Sequence, residues 1–508
     1  RCGTGYVKAS IDGGVNWSDV TPVAGPVDPA LVDYVSIDTN VVIGGRVYVL
    51  GNIGGVGYIL ATDDAGVSWS WVSLGVTGST TPSVDEFGSG YLVEANQSIS
   101  GWGVTNLSTC INLTTDYYLI VHSSWAGSSW GIGDVNLTYI YMPSTSSMTV
   151  LDTVTVKSGV ASRGLALAKI DSDEYVVLYS YTPTTSFPSA DLAATPGTLG
   201  PGDTLVLGSE VAIATGSGSY GVTSVDMAAM PNNKVAFIYH NGGTSPTKNV
   251  YVRAGTVTGG SLTVGAELYI GHLAALNSTP TVQVADTDQF VACAYNSITE
   301  NAIICTCELS GNTVSIIDTL VHACPAGTDH ATISVATNRK FVFGVCTDAS
   351  GSDKITLYPG TIDALFQNIA IGSAPSSALD ASDYFFALEQ FDSDYGAIVY
   401  GVTGAGGHIL RAGFYDNDAV IYSTTFSNQP DTGTAYWGSV GVAVTSSGLL
   451  IANENRTYPS AMSADLYVHL VDVVGGGGGG AGGLGIGLAA DRLTGAYVWV
   501  TVYNGYGM

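Results

Sequence analysis

The chain has 508 residues, only 11% of them charged, and its 42 Asp and Glu outnumber 15 Lys and Arg for a net charge of −27. That balance excludes capture of nucleic acid or of an anionic membrane surface, since both need a basic patch to displace counterions. A hydrophobic content of 46% excludes disorder, and 66 Gly with 29 Tyr favour strands and turns over helices, so the composition predicts an all-β protein.

In chain order, the first elements are hairpins. Gly5-Tyr-Val-Lys-Ala-Ser-Ile-Asp reads as a strand entering a turn, and Arg46-Val-Tyr-Val-Leu as a second strand. Ser10-Ile-Asp12-Gly-Gly14-Val-Asn-Trp17 and Thr62-Asp-Asp64-Ala-Gly66-Val-Ser-Trp69 share the spacing Ser/Thr-x-Asp-x-Gly-x-x-Trp, 52 residues apart. The carboxylates of Asp12 and Asp64 are placed to accept N–H groups of their own turns, with support from the hydroxyls of Ser10 and Thr62. Gly14 and Gly66 stand where a positive φ is expected, and Trp17 and Trp69 supply large apolar plugs. The motif resembles the Asp-box of sialidase-type (BNR) repeats. The resemblance implies a structural hairpin on a β-propeller, away from any active centre, and it covers the first two units only.

A second series follows. Each run begins with a polar turn residue: Asp116-Tyr-Tyr-Leu-Ile-Val, Asp173-Glu-Tyr-Val-Val-Leu-Tyr, Asn233-Lys-Val-Ala-Phe-Ile-Tyr, Asp288-Gln-Phe-Val-Ala-Cys-Ala-Tyr, Arg339-Lys-Phe-Val-Phe-Gly-Val, Asp394-Tyr-Gly-Ala-Ile-Val-Tyr and, less regularly, Gly448-Leu-Leu-Ile-Ala. The runs recur every 51 to 60 residues, and Gly208 and Gly265, like Glu210 and Glu267, are 57 apart in a matching phrase. A period near 55 with about four short strands predicts propeller blades. The expected fold is a single closed β-propeller over 1–508, of about eight four-stranded blades. Its last blade would be completed by N- and C-terminal strands, 1–20 with 487–504, so that no edge is left exposed.

The pairs Asp171/Asp173, Asp286/Asp288, Asp392/Asp394 and Asp416/Asp418 read as turn caps rather than calcium loops. Cys293, Cys305, Cys307, Cys324 and Cys346 cluster with His322 and His330, but Cys305 and Cys307 share one face of an apolar strand and read as buried thiols; disulfides or a zinc site are the alternatives. No metal and no cofactor is expected. His122 and His240 end strands without a triad, and the eight Arg are too dispersed to converge on a carboxylate. Gly475 to Gly487 reads as a Gly-rich inter-blade loop. Trp102, Trp125, Trp130, Tyr436 and Trp437 lie in polar Gly/Ser stretches and are the candidate ligand contacts, through stacking on sugars or protein.

The repeat phrase, a Gly-Thr-Val turn with Leu-Thr-Val-Gly-x-Glu and Phe/Tyr-Val-x-x-Tyr strands, also resembles repeats of bacteriophage tail-fibre and virion appendage proteins over roughly 110–420. The function expected from the sequence is therefore a non-enzymatic appendage on a virion or extracellular cell surface, with no catalytic residue. It would act as a scaffold and as an adhesin for a host glycan or receptor, and its partners would be other virion or surface proteins or a second copy of the chain. The alternatives left open are a glycoside-active enzyme, hydrolase or lyase, on an Asp-box propeller, and a secreted lectin.

Overall fold

The computed structural model describes most of residues 82–474, with strand backbone at 2–3, 6–9, 18–19, 34–36, 47–53, 56–62, 70–73, 484–487 and 499–502. All the described regular elements are strands, and the chain divides into units 1–81 and 82–508. In the first unit, Tyr6–Ala9 pairs antiparallel with Cys2–Gly3 and Ser18–Asp19, while Tyr34–Ser36, Val47–Ile53, Val56–Thr62 and Ser70–Ser73 form a four-stranded antiparallel sheet. Both motif segments thus connect antiparallel neighbours. Thr62 ends one such strand, and Ser10, Asp12, Gly14, Trp17, Asp64, Gly66 and Trp69 lie outside the described residues.

Among the described residues, the second unit holds seven antiparallel strand groups in the order of the sequence repeat, besides the two-stranded sheet of Leu484–Gly487 and Trp499–Val502. Group 1 comprises Ser108–Thr114, Tyr117–Ser123, Gly133–Ser144 and the first part of Ser147–Lys169. That 23-residue strand continues as the first strand of group 2, with Glu174–Thr182, Asp191–Gly200 and the pair Thr204–Leu207 and Val211–Ala214. Group 3 is Val225–Met230, Lys234–Asn241, Lys248–Thr258 and Ser261–Val264 with Leu268–Leu273, and group 4 is Thr281–Val284, Gln289–Asn296, Asn301–Ser310 and Thr313–Ala323. Group 5 is Thr328–Val335, Lys340–Thr347, Asp353–Ile362 and Ile369–Ile371 with Leu379–Ala381. Group 6 is Phe386–Gln390, Tyr395–Gly404, Gly407–Asp416 and Ile421–Phe426. Group 7 is Ala435–Val444, Gly448–Thr457, Ser463–Val474 and Ser83–Phe87 with Tyr91–Ser98. No single sheet closes on itself among the described residues.

The polar residue that leads each second strand has a backbone duty. The carbonyls of Asp116, Asp173, Asn233, Asp288, Arg339 and Asp394 accept N–H bonds of 2.8–3.1 Å from Met142, Leu199, Val257, Leu309, Ile362 and Asn417. Asp116, Asn233 and Arg339 do so at φ of 65°, 59° and 64°, which Asn and Asp tolerate better than most residues. The following run is then buried on both sides, as in Glu174–Thr182 and Lys340–Thr347, because each group packs between two others. Seven apolar clusters fill the seven spaces between consecutive groups, from Leu119 with Leu167 between groups 1 and 2 to Leu450 with Ile120 between groups 7 and 1. The first strands also lie against one another in cyclic order, the last against the first.

Among the described residues, Leu484–Gly487 pairs with Trp499–Val502 in a two-stranded sheet, and Tyr6–Ala9 pairs with Cys2–Gly3 and Ser18–Asp19; most of 1–20 and 487–504, the segments expected to share a blade, lies outside the described residues. The strands that join distant parts of the chain are 83–98, laid on Ser463–Val474. Val84 and Phe87 pack into the cluster between groups 6 and 7, and His469 Nδ1 lies 3.1 Å from the Gly88 carbonyl. Residues 475–483 of the Gly tract lie outside the described residues, and 484–487 are a strand.

Candidate active site

The seven first strands can be superposed through their ladders. Opposite the fifth residue of each second strand stand Thr109, Ala166, Asp226, Thr281, Thr332, Ala387 and Gly441. Opposite the third stand Ile111, Ala168, Ala228, Gln283, Ser334, Glu389 and Ala443. Because strand side chains alternate, both sets lie on corresponding faces, two residues apart. Two of these fourteen positions carry an acid where the other repeats place small, hydroxyl, amide or apolar side chains. Asp226 and Glu389 are the residues that break the repeat.

Their environments make that break chemical. Asp226 Oδ2 accepts the Val282 N–H of the next group at 2.9 Å. Both residues are partly buried. Burial pushes the Asp226 carboxyl up to about 7, opposed by backbone N–H bonds from Val282 and Met227. Burial pushes Glu389 up to about 8, and the Asp226 charge adds to the rise. Two carboxyls kept protonated into the neutral range by burial are suited to acid and base roles. Ser224 Oγ, two residues before Asp226, is buried and has no hydrogen-bond partner.

The residues singled out in the sequence fall elsewhere. Trp102, Trp125 and Trp130 lie outside the described residues, and Tyr436 and Trp437 pair with Arg456 and Asn455 in the ladder of group 7. The aspartate pairs cap turns: Asp392 Oδ1 accepts N–H bonds from Asp394 and Tyr395 at 2.8 Å, and Asp416 Oδ1 accepts them from Asp418 and Val420 at 2.9 Å. Cys293, Cys305, Cys307, Cys324 and Cys346 are buried free thiols, with burial raising Cys324 to about 11. Burial lowers His122 and His330 to about 4, so both are neutral at ordinary pH. Arg253 bonds the Gly265 and Ile213 carbonyls, and Arg339 pairs with Asp286 at 3.3 Å. These arginines do not converge.

Sequence reasoning missed Asp226 and Glu389 because it aligned second strands, whose apolar runs are conspicuous. The short first strands carry the signal, an acid in register with Thr, Ala and Gly, but that register is visible only once the ladders are known.

No protein-family model matches the chain, and no curated protein matches it. Similar solved structures include the NanB sialidase of Streptococcus pneumoniae, at 8% identity and a TM-score of 0.42 over 84% of this chain and 83% of that one. The Trypanosoma rangeli sialidase is similar at 10% identity and a TM-score of 0.41, over 75% of this chain and 59% of that one. The α-L-arabinofuranosidase Arb93A of Fusarium graminearum is similar at 11% identity and a TM-score of 0.39, over 61% of this chain and 93% of that one. The printed names of these three neighbours are those of glycoside hydrolases, against the expectation of a non-enzymatic appendage without a catalytic residue, and that expectation is not kept.

Proposed function

We propose that residues 82–474 form a seven-bladed ring whose axial carboxyls, Asp226 and Glu389, hydrolyse a glycosidic bond by acid–base catalysis. The ring is supported by seven inter-group clusters and the cyclic succession of first strands, with 83–98 completing the last blade. The catalytic reading rests on one observation: the two acids interrupt otherwise repeated axial positions, and their ionisation is coupled. Glu389, the higher of the two, is protonated at neutral pH and donates to the glycosidic oxygen. Asp226, whose charge is supported by the Val282 N–H, acts as the base or nucleophile. A sugar acid would bring a like charge to these carboxyls, so the substrate is a neutral glycan.

The test is release of 4-nitrophenol from aryl glycosides of neutral pentoses and hexoses. Asp226→Asn and Glu389→Gln should each lower the rate by roughly a hundredfold or more, the usual worth of a general acid or base. The pH profile should rise through about 7 and fall through about 8, as the base ionises and the acid is lost. A panel without turnover, or turnover that survives both substitutions, would refute the proposal.

A further inference from the structure

Glu210 and Glu267, in phase in the sequence, occupy equivalent clefts between consecutive groups, and the two clefts differ in one respect. Between groups 1 and 2, Tyr179 donates to Glu210 Oε2 at 2.5 Å, and Lys157 Nζ donates to both carboxylate oxygens at 3.0 and 2.8 Å. The same ammonium sits 4.6 Å from the centre of the Tyr181 ring. It is held as an ammonium ligand would be, by a carboxylate on one side and an aromatic face on the other.

Between groups 2 and 3, Tyr239 donates to Glu267 Oε2 at 2.7 Å, repeating the tyrosine–glutamate bond. Among the described residues no lysine follows. Arg253, close to the Tyr239 hydroxyl, is tied to the Gly265 and Ile213 carbonyls and forms no ion pair with Glu267. Glu267 is exposed. Beside it runs a row of rings across three strands, Tyr239 to Tyr251 at 5.9 Å and Tyr251 to Tyr269 at 5.9 Å, with Tyr269 itself 44% exposed. Asn249 Nδ2 donates to the Tyr251 hydroxyl at 3.2 Å. Where group 3 places Tyr251 and Tyr269, the corresponding residues of group 2 are Ala193 and Ala212. Among the described residues, the second cleft therefore has a carboxylate without a bound cation and a larger aromatic wall.

We propose that Glu267, Tyr251 and Tyr269 form a binding site for a primary ammonium group, as carried by an amino sugar or a polyamine, with Lys157 showing in the neighbouring cleft how such a group is held. A net charge of −27 draws cations toward the protein. The inference does not depend on hydrolysis at the axial pair.

Titration calorimetry on the full chain at low salt tests it, with glucosamine and putrescine as probes and N-acetylglucosamine as the uncharged control. One glucosamine or putrescine should bind per chain, and N-acetylglucosamine about tenfold more weakly or not at all. Binding of glucosamine alone assigns an amino sugar, whereas equal binding of putrescine assigns a polyamine. Glu267→Gln and Tyr269→Ala should each weaken binding by about tenfold, and both positions are exposed enough for the fold to persist in thermal melts. Lys157→Met should empty the first cleft and raise the stoichiometry from one to two. Absence of amine binding, equal affinity for N-acetylglucosamine, or binding indifferent to Glu267→Gln overturns the proposal.

Discussion

The first strands and the outer strands of the groups both carry carboxylates, but only the outer ones repeat. Asp152 and Asp318 each follow a bulge in a continuous fourth strand, and each accepts an N–H from the outer strand of the next group, Leu205 at 2.7 Å and Ile369 at 3.1 Å. Where the fourth strand is split, a glycine replaces the carboxylate. Gly208, Gly265 and Gly372 donate to the carbonyls of Pro196, Ala254 and Pro359 at 2.7–2.8 Å. A Cβ at Gly208 would stand 2.1 Å from the Gly260 carbonyl oxygen, and one at Gly265 would stand 1.8 Å from that of Asn312, because the next hairpin docks there. A polar device used in several repeats is explained by assembly. Asp226 and Glu389 occur once each, so the bond of Asp226 to the Val282 N–H of the next group is not a device that the repeat requires.

That distinction can be broken by exchange. Asp226→Thr, which installs the side chain of the corresponding positions 109, 281 and 332, should keep the fold and lower glycoside hydrolysis by roughly a hundredfold or more. Loss of folding in thermal melts would show the acid to be structural. Gly265→Ala should do the reverse, costing about 3 kcal/mol in urea denaturation because backbone must shift to admit the methyl, while any molecules that fold keep their activity.

Stability against pH sharpens the contrast further. Asp226 and Glu389 are raised from 3.8 and 4.5 to about 7 and about 8, so the folded chain holds protons that the unfolded chain releases. Their contribution is fully present below about pH 4 and is lost as pH rises to about 8. Asp226→Asn and Glu389→Gln should therefore be more stable than the parent at about pH 9, with the difference gone near pH 4. His122, His330 and His469 act in the opposite sense, since burial lowers each from 6.5 to about 4. Their contribution is present above about 6.5 and is lost as pH falls to about 4. A urea series across this range that showed no such crossing would contradict both assignments. The smallest effect belongs to the outer carboxylates: Asp318→Ala leaves the Ile369 N–H without its partner and should cost about 1 kcal/mol, with activity unchanged.

Local pattern made the strands legible. The leaders Asp116, Asn233 and Arg339, the apolar runs behind them, the buried Cys305 and Cys307, and the turn-capping aspartates depend on residues near in sequence, and period and alternation are enough to find them. The in-phase Glu210 and Glu267 were visible too, but as landmarks without a role, since their tyrosine partners lie 31 and 28 residues away.

The sequence by itself determined an all-β chain of repeated hairpins with a period near 55 residues, because hydrophobic alternation and turn chemistry act over a few residues at a time. Only the tertiary structure decided which strands meet across the chain, as Ser83–Phe87 and Tyr91–Ser98 do on Ser463–Val474. It also decided which unmatched acids come close, because the coupling of Asp226 with Glu389 spans 163 residues and three groups. Electrostatic proximity is a property of position in space, and no short-range pattern encodes it.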